Sequence, residues 1–281
     1  MNTTKDTGLK RTSAKAGLSL FLAIVSLLFL APLLYIFLNS FKQPNEIFQS
    51  GAKILPQNWT IANYGESFKG SFGTFFANSA VITVVGVLIV VVVSSLAGYG
   101  FAKLKFPGSS LVFSSIIATL TIPLVILLTP LFIMENSLGL LNTRLGLILP
   151  NVAVCLPFCI LIMHANFAGI PRDIEESAEV DGASRWRRFL IIMLPLTKNG
   201  LILVTVYSTY TIWGEYMFAK ALALNPPAMP LTVGLTLLKG EVWQYGVLAA
   251  VITIAVLPPT IIFIVFQRYI VQGVAQGAIK G

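Results

Sequence analysis

The residues best suited to chemistry or binding are concentrated in one charged segment, Ile170 to Pro195, with the sequence IPRDIEESAEVDGASRWRRFLIIMLP. Five of the eleven acidic residues of the chain lie between Asp173 and Asp181, and three arginines follow within the next seven positions. Side chains this polar are too costly to place in hydrocarbon. The charged segment therefore lies in water, either as a docking surface for a protein partner or as a plain solvated loop.

The local chemistry of the charged segment predicts two short helices joined at a glycine. Pro171 suits a first helical turn, and Asp173 with Glu176 three positions later matches a capping box. Gly182 ends the first helix, because glycine accepts the left-handed conformation that other residues resist. Ser184 then caps the second helix.

A second candidate site surrounds Glu215, the lone carboxylate deep in an otherwise apolar stretch. Ionisable groups in such stretches usually face a cavity or a partner, which makes Glu215 a functional candidate. Tyr210, Trp213 and Tyr216 offer aromatic faces of the kind that sugar rings favour. Aromatic side chains in a helical bundle also serve as packing, so both interpretations stay open.

The remaining reactive side chains indicate neither a catalytic centre nor a metal site. His164 is the single histidine, and it lacks the partners that a metal site or a catalytic triad needs. Cys155 and Cys159 lie four positions apart, on one helix face, and are interpreted as small buried residues. The chain also lacks the G-x-x-x-x-G-K-[ST] motif that cradles ATP phosphates. We therefore expect no enzyme activity and no cofactor in this chain.

The composition predicts an all-α, polytopic membrane protein. Of its 281 residues, 56% are hydrophobic and 11% are charged, a ratio far from that of a soluble domain. Roughly 20 apolar residues suffice to cross a bilayer, and about six runs meet that requirement. These runs are 16–38, 77–100, 111–132, 145–163, 201–223 and 245–268. Prolines 123, 130, 150 and 157 predict kinks in the third and fourth spans.

The basic residues predict the orientation of the spans. With the N-terminus inside, 13 lysines and arginines lie in the cytoplasm and 6 outside, as the positive-inside rule requires. Nucleic-acid binding is disfavoured, because no basic run is interleaved with aromatic residues. The expected organisation is a cytoplasmic segment 1–15, a transmembrane domain 16–270 with a cytoplasmic loop 166–198, and a cytoplasmic tail 271–281, with both termini inside.

The charged segment also resembles a known family motif. Its spacing, Glu176-Ser177-Ala178, three residues, Gly182, nine residues, then Ile192-x-Leu194-Pro195, resembles the EAA loop of permease subunits in binding-protein-dependent ABC importers, with Ser177 in place of one alanine. The neighbouring Asp181-Gly182-Ala183 and Ile170-Pro171 resemble the maltose-type, carbohydrate-importing branch. Weaker similarity extends from Asn58 to Gly281.

The resemblance implies a type I ABC importer permease fold in the bacterial inner membrane and a set of contacts with an ATPase. The implied coupling residues are Glu176, Ser177, Ala178, Asp181, Gly182, Ala183, Ile192, Leu194 and Pro195. The implied tail contacts are Gln276, Gly277, Lys280 and Gly281. The implied substrate pathway includes Tyr210, Trp213, Glu215 and Tyr216.

The resemblance also implies partners. A second permease subunit would complete the pathway, two ATPase subunits would bind ATP and Mg²⁺ inside, and an extracytoplasmic solute-binding protein would deliver a sugar or oligosaccharide. Transport would follow alternating access. Membrane lipid would be the remaining partner.

Two alternatives stay open at this point. In the first alternative, the imported solute is a related polyol or glycerol-phosphate. In the second, the chain is an ion-coupled secondary transporter, which would be expected to carry ionisable relay groups in several spans. Glu215 is the one good candidate for such a group, which disfavours the second alternative. An intramembrane hydrolase is disfavoured by the missing HExxH motif.

Overall fold

The structure is a computed structural model of the chain, and it describes residues 3–47, 53–104, 106–237 and 245–278. Side chains are described within these ranges from residue 15 to residue 269. The described residues form helices and turns without strands, which confirms the all-α prediction. The α-helices are α1 (Thr3–Asn39), α2 (Pro44–Ile47), α3 (Ala62–Lys69), α4 (Phe72–Lys103), α5 (Ser109–Ala118), α6 (Leu128–Ser137), α7 (Arg144–Ala168), α8 (Arg172–Val180), α9 (Arg185–Arg187), α10 (Leu194–Leu196), α11 (Lys198–Trp213), α12 (Met217–Leu222), α13 (Leu231–Leu237) and α14 (Tyr245–Ala278).

Four of these helices, α1, α4, α7 and α14, are each long and apolar enough to cross a membrane. They correspond to the first, second, fourth and sixth predicted spans, and each extends beyond the predicted bounds. The valine-rich sequence of α4 would favour a strand in water. In hydrocarbon, however, every backbone amide and carbonyl needs a partner, and a helix supplies those partners within the segment itself.

The third predicted span, 111–132, is not one continuous helix. Its two arms, Ser109–Thr121 and Leu124–Ser137, meet at an angle of 97°. Pro123 explains the break, because proline has no amide hydrogen and pushes the preceding residue out of the helical conformation. Ile122 accordingly has ψ 119°. The kink that the prolines predict is therefore a full change of direction.

Two threonine hydroxyls satisfy backbone carbonyls beside this break. Thr119 Oγ1 donates to the carbonyl of Ile116 at 2.6 Å, and Thr121 Oγ1 donates to that of Ala118 at 2.8 Å. Such hydroxyl bonds let a broken helix exist at membrane depth.

The fifth predicted span, 201–223, is broken as well. Helix α11 ends at Trp213, and the short α12 begins only at Met217. The prediction of a continuous span is wrong here because an apolar run does not show where a helix stops. At its other end, α11 meets the helical stretch Arg185–Leu196 at an angle of 77°. Counting each bent pair as one span gives up to six crossings, in agreement with the predicted number.

The chain divides into two compact units, residues 1–70 with 239–254 and residues 71–238 with 255–281. In the second unit, α4 packs along α7, and α11 packs on both. The contact between α4 and α7 depends on Gly98. A β-carbon there would lie 2.5 Å from Cβ of Met163 and 2.8 Å from the backbone nitrogen of His164. Small residues of this kind let transmembrane helices approach closely.

The first unit contains a loop after α1 that is held by polar contacts. The Glu46 carboxylate accepts hydrogen bonds from the amides of Gln57 and Asn58, both at 2.9 Å. The bond from Gln57 contributes most to keeping the pKa of Glu46 below its usual value. Asn63 Nδ2 donates to the carbonyls of Ser40 and Lys42 at 2.8 and 2.9 Å. These contacts order the connection that follows α1.

Candidate functional site

The charged segment begins with α8, whose first turn differs from the prediction. The helix begins at Arg172, directly after Pro171, and no side chain caps it. The predicted capping box of Asp173 and Glu176 is therefore wrong. Because the helix starts two residues earlier than that box requires, Asp173 and Glu175 lie inside the first turn, where carboxylates interact favourably with the positive end of the helix.

The end of α8 agrees with the prediction for Gly182. This glycine is left-handed, with φ 77°. Its amide donates to the carbonyl of Glu179 at 3.0 Å, and the amide of Ala183 donates to that of Ala178 at 3.0 Å. The pair of bonds forms a Schellman motif. No heavy atom of the described residues lies within 4 Å of the position that a β-carbon on Gly182 would occupy, so backbone conformation alone requires glycine here.

The second half of the charged segment begins as predicted and then departs from an α-helix. Ser184 Oγ accepts a hydrogen bond from the amide of Arg187 at 3.3 Å, which confirms the predicted cap. From Arg188 to Met193 the chain forms a π-helical segment, and α10 begins at Leu194 with Pro195 in its first turn. Single π-turns often occur at functional positions. The sequence carried no signal for this one.

The predicted coupling residues differ in their exposure to solvent. Those open to solvent are Glu176, Ser177, Asp181, Gly182 and Pro195. Ala183, Ile192 and Leu194 are half-buried, and Ala178 is buried. Two apolar side chains that the motif did not single out, Val180 and Trp186, are 88% and 66% exposed. Val180 and Trp186 are candidates for contacts with a protein partner, because exposed apolar side chains that form a patch mark docking surfaces.

Two hydrogen bonds fasten the start of the charged segment to the end of α4. Tyr99 OH donates to Oε1 of Glu175 at 2.6 Å, and Lys103 Nζ donates to the carbonyl of Ile170 at 2.6 Å. Sequence reasoning missed both contacts, because 76 positions separate Tyr99 from Glu175 and no local pattern joins them.

An ion pair joins the two halves of the charged segment. Arg188 Nη1 donates to Oε2 of Glu179 at 2.5 Å, with the Arg188 side chain 8% exposed and that of Glu179 66% exposed. The Arg188 Nε atom has no hydrogen-bond partner among the described residues. A cleft of about 470 Å³ lies beside the pair, lined by Lys103, Leu104, Phe106, Arg172, Glu175, Glu176, Glu179, Arg185 and Arg188.

Glu215, the second candidate, lies in the turn between α11 and α12. Its carboxylate accepts hydrogen bonds from the amides of Phe218 at 2.7 Å and Ala219 at 2.9 Å. Thr232 Oγ1 donates to the Glu215 carbonyl at 2.7 Å. The carboxylate thus binds the otherwise unpaired first amides of α12, which is the role of a helix cap.

The aromatic residues near Glu215 are used partly for packing. Trp213 Nε1 donates to the carbonyl of Ala255 at 3.0 Å, and Tyr210 OH donates to that of Pro259 at 3.1 Å. Both bonds attach α11 to α14. Tyr210 and Tyr216 are each 45% exposed, so their rings remain accessible.

We expect Glu215→Gln to destabilise the junction of α11 and α12. Glutamine keeps one acceptor oxygen but turns an N–H group toward the second amide, and loss of a capping bond costs about 1 kcal/mol. The measurement is thermal unfolding in detergent. The matched control is Glu66→Gln, which removes an exposed ion pair with Lys69 and should change little. An altered solute preference at unchanged stability would instead assign Glu215 to solute binding.

The other candidate residues are accounted for as follows. Cys155 and Cys159 are free and fully buried, as interpreted from the sequence. His164 is half-buried and packs on the Phe113 ring at 4.5 Å between centroids. Of the tail residues, Gln276 and Gly277 belong to α14, and the side chain of Gln276 is not described. Lys280 and Gly281 lie outside the described residues.

Comparisons of this chain with a family model and with individual proteins agree with each other. Residues 91–276 match a protein family described as the inner membrane component of binding-protein-dependent transport systems. The diacetylchitobiose uptake system permease protein of Streptomyces coelicolor is 33% identical, with 92% of this chain and 87% of the relative covered. The trehalose transport system permease protein of Mycobacterium tuberculosis is 32% identical, with 90% and 93% covered.

A solved structure shows the same fold. It is a chain from the crystal structure of a bacterial ABC transporter involved in the import of the acidic polysaccharide alginate. The TM-score is 0.79 at 25% sequence identity, and 96% of this chain and 99% of that chain are covered.

Proposed function

The chain belongs to the family of binding-protein-dependent transport system inner membrane components, and we propose that it imports a sugar or oligosaccharide as a permease subunit of an ATP-driven ABC importer. The relatives named for diacetylchitobiose and trehalose uptake, and the structural relative involved in alginate import, support a carbohydrate as the solute. A 31% identical relative named for sulfoquinovosyl glycerol transport supports a polyol-linked solute as the second candidate.

The observation that carries this function is the geometry of the charged segment. An exposed helix ends in a left-handed glycine, presents Val180 beside that glycine, and is fastened at its start to α4. This is the arrangement that a soluble motor subunit needs in order to push on a membrane helix. The proposed coupling residues are those of the motif, from Glu176 to Pro195, with the tail residues Gln276, Gly277, Lys280 and Gly281 as a second contact.

The proposed partners follow from the same role. A solute-binding protein delivers the solute outside, and ATPase subunits bind ATP and Mg²⁺ inside, since this chain has no phosphate-binding loop. A second permease subunit completes the pathway, which opens alternately to each side. Tyr210 and Tyr216, with exposed rings, are the residues of α11 and its following turn that we assign to the pathway.

The test of this function is reconstitution in proteoliposomes. Complexes with and without the ATPase subunits are compared, in the presence of the solute-binding protein. We expect oligosaccharide uptake and ATP hydrolysis only when all subunits are present. Uptake driven by an ion gradient in the absence of ATP would overturn the proposal in favour of a secondary transporter.

The topology makes a separate prediction. Within the proposed organisation of a segment 1–15, a transmembrane domain 16–270 and a tail 271–281, both termini and the loop 166–198 face the cytoplasm. Reporter fusions after residue 15, within 101–108, within 166–198 and after residue 270 should all give a cytoplasmic signal. A periplasmic signal from the charged segment would contradict this orientation.

A further inference from the structure

The ring of Tyr99 lies at the junction of three elements that have no sequence proximity. It is 6% exposed, near the end of α4. Its ring meets that of Phe167, from α7, at 5.5 Å between centroids, and that of Phe189, from the π-helical segment, at 5.1 Å. Aromatic pairs at these distances stabilise packing beyond the area that they bury. The ring is therefore held firmly by hydrophobic contacts alone.

The hydroxyl of Tyr99 does something that the ring does not. Its bond to Oε1 of Glu175, at 2.6 Å, crosses from α4 to α8. Lys103, one helical turn further along the same face of α4, holds the carbonyl of Ile170. Side chains from two successive turns of α4 thus form hydrogen bonds with the start of the charged segment. A hydroxyl bound to a carboxylate is among the stronger hydrogen bonds in proteins.

Among the described residues, the opposite end of α8 makes no side-chain hydrogen bond to α4 or α7, and its one ion pair joins Glu179 to Arg188 in the second half of the charged segment. Val180 is 88% exposed, and the site of a β-carbon on Gly182 is open. A partner that displaces this end turns α8 as a lever about its fastened start. Whether α4 follows depends on the stiffness of the attachment at Glu175.

We propose that Tyr99 is a positioning residue for transport, whose hydroxyl passes the displacement of the charged segment to α4 by holding Glu175. The inference rests on the proposed function and goes beyond it, because Tyr99 lies outside the family motif and inside a membrane helix. Its role is to set how much ATP is hydrolysed for each solute molecule imported.

The experiment separates the hydroxyl from the ring. Tyr99→Phe keeps the aromatic contacts and removes only the bond. Glu175→Ala removes the same bond from the other side, whereas Glu175→Gln keeps a carbonyl oxygen that accepts from Tyr99. The matched control is Tyr64→Phe, which removes a tyrosine hydroxyl that pairs with Ser40 Oγ at 2.7 Å in the loop after α1.

The measurement is the ratio of ATP hydrolysed to solute imported, with the complete transporter in proteoliposomes. We expect Tyr99→Phe and Glu175→Ala each to raise this ratio about tenfold, the order set by losing one hydrogen bond to a charged group. Tyr64→Phe should keep the wild-type ratio, and Glu175→Gln should lie between the wild type and Glu175→Ala, because a neutral acceptor binds the hydroxyl less strongly than a carboxylate. The double variant Tyr99→Phe/Glu175→Ala should be no worse than either single variant, because both remove one bond.

Each outcome decides the matter. A wild-type ratio in Tyr99→Phe, or additive defects in the double variant, would overturn the inference while leaving the proposed function intact. Absence of uptake by the wild-type complex would instead count against the proposed function. If Tyr99→Phe does not accumulate, Glu175→Ala beside Glu175→Gln gives the same comparison on a half-buried side chain that the fold tolerates more readily.

Discussion

Replacing Gly182 with valine is expected to leave the protein inserted and folded but to abolish coupled uptake. The left-handed φ of 77° strains a residue that carries a β-carbon by roughly 1 to 2 kcal/mol. No described atom of this chain obstructs that β-carbon, so the strain is the whole cost within the subunit. The isopropyl group then projects from the exposed end of α8, into the surface that we assign to the ATPase.

Whether Gly182→Val affects folding or coupling depends on how its costs compare with the energies of helix packing and of ATPase docking. Overpacking of a docked interface costs about 1 to 3 kcal/mol, and the two costs together are small beside the packing of the membrane helices. They are large for one docking contact. Gly182→Ala adds the strain with little bulk and should be milder.

Three quantities report the result: co-purification of the ATPase, uptake, and ATP turnover in proteoliposomes. The matched control is Gly139→Val, because Gly139 is also left-handed, at φ 67°, and also has no neighbour within 4 Å of a β-carbon, but lies in the loop after α6. It should carry the same strain and keep uptake coupled to ATP. Normal coupled uptake by Gly182→Val would refute the assignment of the charged segment.

Replacing Asn78 with alanine is expected to give a large loss of stability. This side chain is fully buried at the start of α4. Its Nδ2 donates to the carbonyls of Pro227 and Met229, both at 2.9 Å, and its Oδ1 accepts from Arg144 Nε at 2.8 Å. One amide therefore pins the loop before α13 and the first residue of α7 to α4.

Alanine leaves two carbonyls and one guanidinium N–H without these bonds. The Met229 carbonyl is buried, and leaving it unpaired costs about 1 to 3 kcal/mol. Pro227 and Arg144 are exposed, so their groups can bond to water instead, and we expect a total of about 1 to 3 kcal/mol. Thermal unfolding and limited proteolysis near residues 225–230 measure the effect. Asn45→Ala, at an exposed position in α2, is the control, and equal melting temperatures for the two variants would contradict the pinning role.

The sequence was most informative where the decisive chemistry is local. The end of α8 at Gly182 and the cap at Ser184 depend on neighbours within a few positions, and both predictions are confirmed. The long helices α1, α4, α7 and α14 follow from apolar length alone. The box at Asp173 failed because it depended on the start of α8 to within one residue, a precision that local pattern does not provide.

The features that the sequence did not predict depend on contacts between distant positions. Pro123 indicated a kink, but the 97° angle depends on where α6 packs, which is against α12. Glu215 stood out as a lone carboxylate, yet its capping role depends on α11 ending at Trp213. No local pattern distinguishes Tyr99 from the other aromatic residues, because its partner Glu175 lies 76 positions away and meets α4 only in the folded protein.

The bent segment between α5 and α6 has a consequence for the biogenesis of the protein. Each of the two helices has ten residues, or about 15 Å of length, which is half of a hydrocarbon core of about 30 Å. Neither can cross the bilayer by itself as it leaves the ribosome. Because α6 packs on α12, some eighty residues further along the chain, this segment acquires its final shape only after most of the polypeptide has been synthesised. Chains that end before α12 would therefore leave α6 without this contact.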